Sequence, residues 1–389
     1  MGEKDKPVIF FLSQYAPLPT SGGIERVVFN LKNALNNSEK YEVYTLSLDV
    51  GEKSERHFYL PPYNFAKQLE KMIREMNVRI LVCHVNVGAN IIKNVKKMNI
   101  KNVKIFYHHH HAIIATLSYC LSAAWYSVLT SHGIVHFAKA ALFPIYFVYI
   151  LFSVYIGFWT GVKYSDKYIL LSQYFKNDIL KLPGFKKYEH KIISLTNPHV
   201  FSTETFCMYP KEKLVLFVGR LHYHDKNIPE LLKVWKKIES RRTDYSLCIV
   251  GDGLDRQRLE KDIHRMNLKK VFLVGNQKNV ADFYKRASFL FLTSKEGWGL
   301  VLVEAMEYGC IPFAFDSYSS AKEIIENEKN GFLIHPHNIS QYADTACVAF
   351  DLDDDSLLKI RKEGYEHIQR FSITKIAEKW EKLFDGALL

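Results

Sequence analysis

Residues 287–306 read Ala287-Ser288-Phe289-Leu290-Phe291-Leu292-Thr293-Ser294-Lys295-Glu296-Gly297-Trp298-Gly299-Leu300-Val301-Leu302-Val303-Glu304-Ala305-Met306. The uninterrupted apolar run 287–292 has the pattern of a parallel strand buried on both faces. A Gly-rich turn follows, then the first turns of a helix. The order is strand, turn, helix, with Glu296 in the turn and Glu304 inside the helix. Backbone N–H groups at such a helix start are free and point at whatever anion sits above them. A carboxylate in the turn can hydrogen-bond sugar hydroxyls, and one about two turns on can reach a second polyol. Phosphate between two polyols describes a nucleotide-sugar.

Other segments fit around this one. Upstream stand Phe217-Val218-Gly219-Arg220-Leu221 and Lys226-Asn227, then Val250-Gly251-Asp252-Gly253 and Phe272-Leu273-Val274-Gly275. Near the N-terminus is Ser21-Gly22-Gly23-Ile24-Glu25-Arg26. In order and spacing this set resembles the retaining glycosyltransferases of family 4 (glycosyl transferases group 1), whose signature is Glu-x7-Glu and whose architecture is GT-B. The likeness is closest from about 212 to 335.

The resemblance implies an α/β fold of two doubly wound, Rossmann-like domains facing across a cleft, here with an apolar helical insertion in the N-terminal domain. Strand and helix patterns alternate along the whole chain, as such sheets require. The expected domains are an acceptor-binding one at 1–200, a nucleotide-sugar-binding one at 201–371, and a helix at 372–389 crossing back to the first. The stretch 196–211 has turn residues and no periodicity, as a linker would. The final helix carries Ile376, Trp380 and Leu383 on one face.

Composition narrows the class. The 389 residues suffice for two α/β domains, and 48% hydrophobic with 24% charged residues is globular. Six scattered cysteines without a C-x-x-C pair read as reduced thiols of a cytosolic protein, and the charged start Met1–Lys6 is no signal peptide. The net charge of +11 is lopsided: residues 1–200 hold 24 basic against 13 acidic residues, and the rest holds 28 of each. No acidic residue lies between Glu75 and Asp166. A one-sided basic surface suits an anionic partner. Long apolar runs interleave the lysines and no nucleic-acid motif is present, so the expectation is a membrane surface or a lipid-linked diphosphate, and no nucleic acid.

From Ala112 to Val162 the only charge is Lys139, and 140–162 is long enough to span a bilayer. The strands before and after it should share one sheet, so the chain crosses a membrane twice or not at all. Abundant tyrosine and phenylalanine suggest an interfacial helical hairpin at the cytoplasmic leaflet, aided by Lys93, Lys96, Lys97, Lys101 and Lys104. A buried helix pair and a two-span hairpin are the alternatives.

The resemblance assigns Glu296 to the donor sugar and Glu304 to the ribose. It also implies a diphosphate cradle in the amides of Gly297, Trp298, Gly299 and Leu300, approached by the Gly22-Gly23 loop. Arg220 and Lys226, at a strand end, would stabilise the leaving diphosphate, so no metal and no cofactor is expected. A family histidine at a strand end faces the donor sugar. In the run His108-His109-His110-His111 strand counting favours His108, with His109 or His110 if the register shifts. Gly251-Asp252-Gly253 lacks the third glycine of a dinucleotide fingerprint. Asp351–Asp355 reads as the acidic first turn of a helix.

The expected activity is transfer of a sugar from a UDP- or GDP-sugar, with retention, to a saccharide acceptor that is lipid-linked, in cell-envelope polysaccharide, lipopolysaccharide or glycolipid synthesis. The protein would be cytoplasmic and membrane-associated, at the inner face of the cell membrane. Alternatives are a nucleotide-sugar hydrolase or epimerase of the same fold, and a non-catalytic nucleotide-sugar-binding membrane scaffold.

Overall fold

A computed structural model of the chain describes residues 6–389 except 20–21, 50–55, 62, 85–88, 112–115, 118–119, 122–123, 126, 129–130, 203–208 and 224. Its contacts divide into two compact units, one of residues 1–200 with 371–389 and one of residues 201–370.

The first unit is built on seven parallel strands: β1 (Val8–Ser13), β2 (Glu42–Ser47), β3 (His57–Tyr59), β4 (Val78–Cys83), β5 (Lys104–His109), β6 (Lys167–Leu170) and β7 (Ile192–Ser194). Their order is β3-β2-β1-β4-β5-β6-β7. Direction of winding reverses between β1 and β4, and ligands of open α/β sheets bind beyond the strand C-termini at such a switch point. The helices are α1 (Gly23–Asn37), α2 (Phe65–Glu75), α3 (Ala89–Lys97), α4 (Gly133–Tyr164), α5 (Gln173–Leu180) and, from the far end of the chain, α13 (Ile373–Leu388). His199 holds that returning segment: its N–H donates to Phe371 O (2.7 Å) and its carbonyl accepts from Ile373 N (2.9 Å). On α13, Ile376, Trp380 and Phe384 are fully buried. Trp380 lies 6.1 Å from the Phe11 ring, and Phe384 6.1 Å from Phe106.

Strand β3 has no apolar signature. It is a three-residue edge element whose His57 ring bonds Thr45 Oγ1 (2.8 Å) and Ser47 Oγ (3.1 Å) of β2.

The apolar segment differs from the expected hairpin in its proportions. One helix, α4, runs 32 residues through Pro144. Its Val135–Tyr164 stretch is long and apolar enough to cross a membrane, and only 11% of the most apolar window is buried. Towards its C-terminal end α4 buries Ile150, Val154, Phe158 and Val162, one residue per turn, and Phe158 meets His109 of β5 at 4.4 Å between rings. Gly161 lets it approach: a Cβ there would stand 2.7 Å from the Tyr107 ring. The stretch 137–152 of α4 exposes Phe137, Leu142, Ile145, Val148, Tyr149 and Phe152. The described residues between 116 and 128 are helical. They lie against α4, with Trp125 and Phe143 rings 4.9 Å apart. The buried-pair alternative therefore does not describe α4.

The second unit has six parallel strands: β8 (Glu212–Val218), β9 (Ser246–Val250), β10 (Val271–Gly275), β11 (Ala287–Leu292), β12 (Ile311–Phe315) and β13 (Phe332–Ile334), in the order β10-β9-β8-β11-β12-β13. The helices are α6 (Ile228–Glu239), α7 (Arg256–Arg265), α8 (Ala281–Arg286), α9 (Leu300–Glu307), α10 (Ala321–Ile324), α11 (Ile339–Phe350) and α12 (Asp354–Ile368). All of β11 and β12 is buried, and Phe289, Phe291, Phe313, Trp235 and Tyr342 fill the core. The switch point lies between β8 and β11, at the strand ends that lead into Gly219, Arg220 and Thr293–Gly299.

Candidate active site

Sheet order explains why residues seventy positions apart meet in the second unit. Thr293, one residue past β11, donates its hydroxyl to the carbonyls of Lys226 and Asn227 (both 3.2 Å). Asn227 returns a bond from Nδ2 to Thr293 O (3.1 Å), adopting a left-handed conformation (φ +48°) to open α6. This staple carries Lys226 to Glu296, with Nζ 2.6 Å from Oε1. Ser294 Oγ donates to the same oxygen at 2.6 Å. Both charged side chains are four-fifths or so buried, at 24% and 20% exposure, so their attraction is only partly screened by water. Arg220, two residues past β8, is exposed and makes no ion pair among the described residues.

The turn that follows is pinned from behind. Ser320 Oγ donates to Gly297 O (3.0 Å) and more weakly to Trp298 O (3.5 Å), and Trp298 is buried. Gly299 opens α9 at φ +95°, a conformation that strongly favours glycine. A Cβ there would stand 3.0 Å from the Tyr318 hydroxyl. The first amides of α9 have no partner inside the helix and form a positive end for an anion. Four residues into the helix, Glu304 Oε2 accepts from Tyr284 OH (3.0 Å).

Tyr318 was not singled out in the sequence. Burial and then the Glu296 carboxylate push its phenol well above the ordinary tyrosine value, so it is a proton donor at neutral pH. Its hydroxyl has no hydrogen-bond partner among the described residues. It lies just beyond β12, a strand next to β11, and nothing local in Asp316-Ser317-Tyr318 announces it.

The Gly251-Asp252-Gly253 element packs backbone on backbone. Gly219 N–H donates to Val250 O (3.0 Å), Leu221 N–H to Asp252 O (2.9 Å), and Gly251 N–H to Gly275 O (2.8 Å). A Cβ on Gly251 would stand 2.0 Å from Gly219 O, and one on Gly253 2.4 Å from Leu221 O. These glycines seat the loop bearing Arg220. Asp353 accepts from Ser356 N (2.8 Å) and caps α12.

In the first unit, Gly22 caps α1 just beyond β1, its carbonyl accepting from Arg26 N (3.0 Å). Gly23 is the first residue of that helix. Ser21 of the same loop lies outside the described residues.

Strand alternation sorts the histidine run. His108 and His110 project to the α13 side, where His108 meets Trp380 at 5.2 Å between rings. His109 projects to the α4 side, against Phe158 (4.4 Å) and Tyr168 (6.0 Å). A residue not foreseen, His84, directly follows neighbouring β4 and joins the first pair: its Nδ1 is 3.1 Å from His110 Nε2 and 3.2 Å from His108 Nδ1. The usable signal was topological, since β4 and β5 are adjacent, His84 directly follows β4 and His108 and His109 close β5. Burial holds all four rings neutral, His109 down to about 3 and the other three well below the ordinary imidazole value. His84, His108 and His110 each offer one nitrogen, all within 4.8 Å of one another, a donor set that could hold a metal ion as well as a hydrogen-bonded sugar. The histidines therefore divide into a cluster of three on one face of the sheet and His109 alone on the other.

Residues 207–367 match the family described as Glycosyl transferases group 1. An uncharacterized glycosyltransferase of Haemophilus influenzae is 27% identical over 228 residues, covering 58% of this chain and 63% of that protein. A Campylobacter jejuni protein named as an alpha-1,4-N-acetyl-D-galactosaminyltransferase acting on a GalNAc-diNAcBac-PP-undecaprenol glycan is 30% identical over 204 residues, 51% of this chain and 56% of that protein. The matches thus span less than two thirds of these relatives' own lengths. Among solved structures, the apo lipopolysaccharide outer core galactosyltransferase WaaB superposes with a TM-score of 0.69 at 18% identity, covering 97% of this chain and 99% of that one. A variant of S. aureus TarM, solved with fondaparinux, alpha-GlcNAc-glycerol and UDP, does so with 0.69 at 15% identity and the same coverage. At these identities the structures establish the fold, which is GT-B.

Proposed function

We propose that this chain, a member of the glycosyl transferases group 1 through its residues 207–367, moves a sugar from a nucleoside-diphosphate sugar to a saccharide acceptor carried on a membrane lipid. The observation that carries the reading is the convergence of Lys226, Glu296 and the glycine-opened start of α9 at one switch point. In this reading Glu296 and Tyr318 hold sugar hydroxyls and Glu304 holds the ribose. The leaving diphosphate rests on the α9 amides, Lys226 and Arg220. Positive groups placed where negative charge develops lower the barrier without a metal. Retention follows from the family. A front-face substitution suits it, with the anomeric C–O bond to phosphate breaking as the acceptor oxygen bonds and its proton passes to the departing phosphate oxygen. The histidine cluster of the first unit, neutral and rich in unspent nitrogens, is assigned to hydroxyls of sugar.

The lipid-linked acceptor and the inner face of the membrane rest on α4 and its basic neighbours. An apolar side chain left in water costs about 1.5–3 kcal/mol relative to burial, and the exposed half of α4 presents at least six. α3, with Lys93, Lys96 and Lys97, packs beside it. The test is nucleotide release from a panel of UDP- and GDP-sugars, with and without membrane lipid extract, for wild type and Glu296→Ala. Release that needs extract and disappears in the variant supports the transferase. Extract-independent release points to hydrolysis. Binding without release points to a scaffold.

A further inference from the structure

Parallel pairing sets three histidines around one point in the first unit. Cys83 of β4 is opposite Tyr107 of β5, so the residues that follow, His84 and His108, stand side by side. Alternation along the strand brings His110 to the same face as His108, with the two rings 4.2 Å apart. All three side chains are buried, the least so at 3% exposure. The Phe11 ring lies 5.1 Å from His84 and the Trp380 ring 5.2 Å from His108, so apolar rings wall the cluster.

His84 Nδ1 faces both His110 Nε2 (3.1 Å) and His108 Nδ1 (3.2 Å). A nitrogen of a neutral imidazole has either one proton or one in-plane lone pair. That atom can therefore make one good hydrogen bond, and two nitrogens are presented to it. The outer nitrogens, His84 Nε2, His108 Nε2 and His110 Nδ1, have no partner among the described residues, so nothing there fixes a tautomer. A cation among the inner nitrogens takes a lone pair from each ring and sets all three tautomers at once. The spacing suits one: a tetrahedral ion with bonds of about 2.0–2.1 Å to nitrogen holds its ligands about 3.3–3.4 Å apart. The donor set is imidazole throughout, with no carboxylate, which selects zinc and its neighbours over magnesium, calcium and manganese.

We propose that His84, His108 and His110 bind one zinc-class divalent cation, with the fourth position left to an oxygen ligand. The site lies in the first unit, whereas Lys226, Glu296 and α9 belong to the second, so the metal-free diphosphate cradle is unaffected. The sugar hydroxyls assigned to these rings would reach them as that oxygen. An ion bound here ties the end of β4 to the end of β5 beside Trp380, and so stabilises the folded chain.

The test is titration of Zn2+, Co2+ and Mg2+ into the full chain, stripped with a chelator and held in lipid nanodiscs, without nucleotide-sugar. Binding is read by calorimetry and by the visible absorption that cobalt gains in a tetrahedral site. The chain has 16 histidines, so variants decide the position. We expect one equivalent of zinc, no magnesium, and a zinc affinity about a hundredfold lower in His84→Gln and in His110→Gln. His109→Phe, on the other face of β5, should bind within about threefold of wild type. Zinc-edge X-ray absorption of the wild type should show three imidazoles, and it decides alone if either Gln variant loses its native circular dichroism. No zinc binding, wild-type affinity in both Gln variants, an equal loss in His109→Phe, or fewer than three imidazoles at the zinc edge overturns the site. No sugar donor is present, so these outcomes leave the transfer reading standing, and that reading falls or holds on nucleotide release.

Discussion

Lys226 and Ser294 both spend their hydrogen bonds on one oxygen of Glu296, Oε1, at 2.6 Å each, and among the described residues Oε2 accepts none. The carboxylate is thus oriented by two partners and keeps one oxygen for a third. Removing either member of the Lys226–Glu296 pair should separate binding from chemistry. Lys226→Ala should weaken nucleoside diphosphate by titration calorimetry and lower kcat/KM by about 10²–10³-fold. Glu296→Ala should lower kcat/KM comparably while leaving nucleoside-diphosphate affinity within about threefold. Ser294→Ala removes one neutral donor, worth about 1 kcal/mol, or roughly fivefold. A Glu296→Ala enzyme that turns over at the wild-type rate would refute the assignment.

The glycines separate into those that backbone contact requires and those that nothing requires. Gly251→Ala sets a Cβ 2.0 Å from the Gly219 carbonyl at φ +136°, and no side chain can move aside. We expect a loss of about 2 kcal/mol or more, read as a lower urea midpoint. Gly386→Ala, on α13 with nothing within 4 Å of the added methyl, should gain up to about 1 kcal/mol.

Stability should fall with acid in a window fixed by the buried imidazoles. His109 titrates at about 3 in the folded chain because burial and then the His111 charge disfavour its cation. Unfolded, it titrates near 6.5. Between those values the unfolded state binds the extra proton, so stability is lost as pH falls from about 6.5 toward 3. The slope is about 1.4 kcal/mol per pH unit for this residue. His84, His108 and His110 have the same sign. His109→Phe should flatten the profile, since neither ring nitrogen has a partner among the described residues. An unchanged slope in urea titrations at pH 7, 6 and 5 would contradict this.

Membrane association should depend on the free half of α4. Replacing Phe137, Ile145 and Phe152 by Glu removes three exposed apolar side chains, worth about 1.5–3 kcal/mol each if they enter lipid. Vesicle sedimentation should show at least a hundredfold lower partitioning. Replacing Lys93, Lys97 and Lys101 by Gln should weaken binding to anionic vesicles and leave zwitterionic ones unaffected.

Much of this was legible because strand-turn-helix signals are local. The apolar run 287–292, the glycines of the turn and Glu304 on α9 all sit where pattern alone puts them. What was not legible depends on neighbours across a sheet. Four identical histidines carry no facing information, so only the strand shows that His109 turns away from His108 and His110. His84 and Tyr318 acquire meaning from adjacent strands, and β3 from two hydrogen bonds to β2. The glycines after β9 resemble a phosphate loop in composition, and their purpose is close approach of two loops.

The return of the chain at Phe371 sets an order of events during synthesis. Residues 201–370 are contiguous and can fold as soon as they leave the ribosome. The first unit, although translated earlier, must wait for Trp380 and Phe384 to cover Phe11, Phe106 and His108. The half made first is therefore finished last, and for the time it takes to make about 170 residues these three side chains wait for their cover from α13.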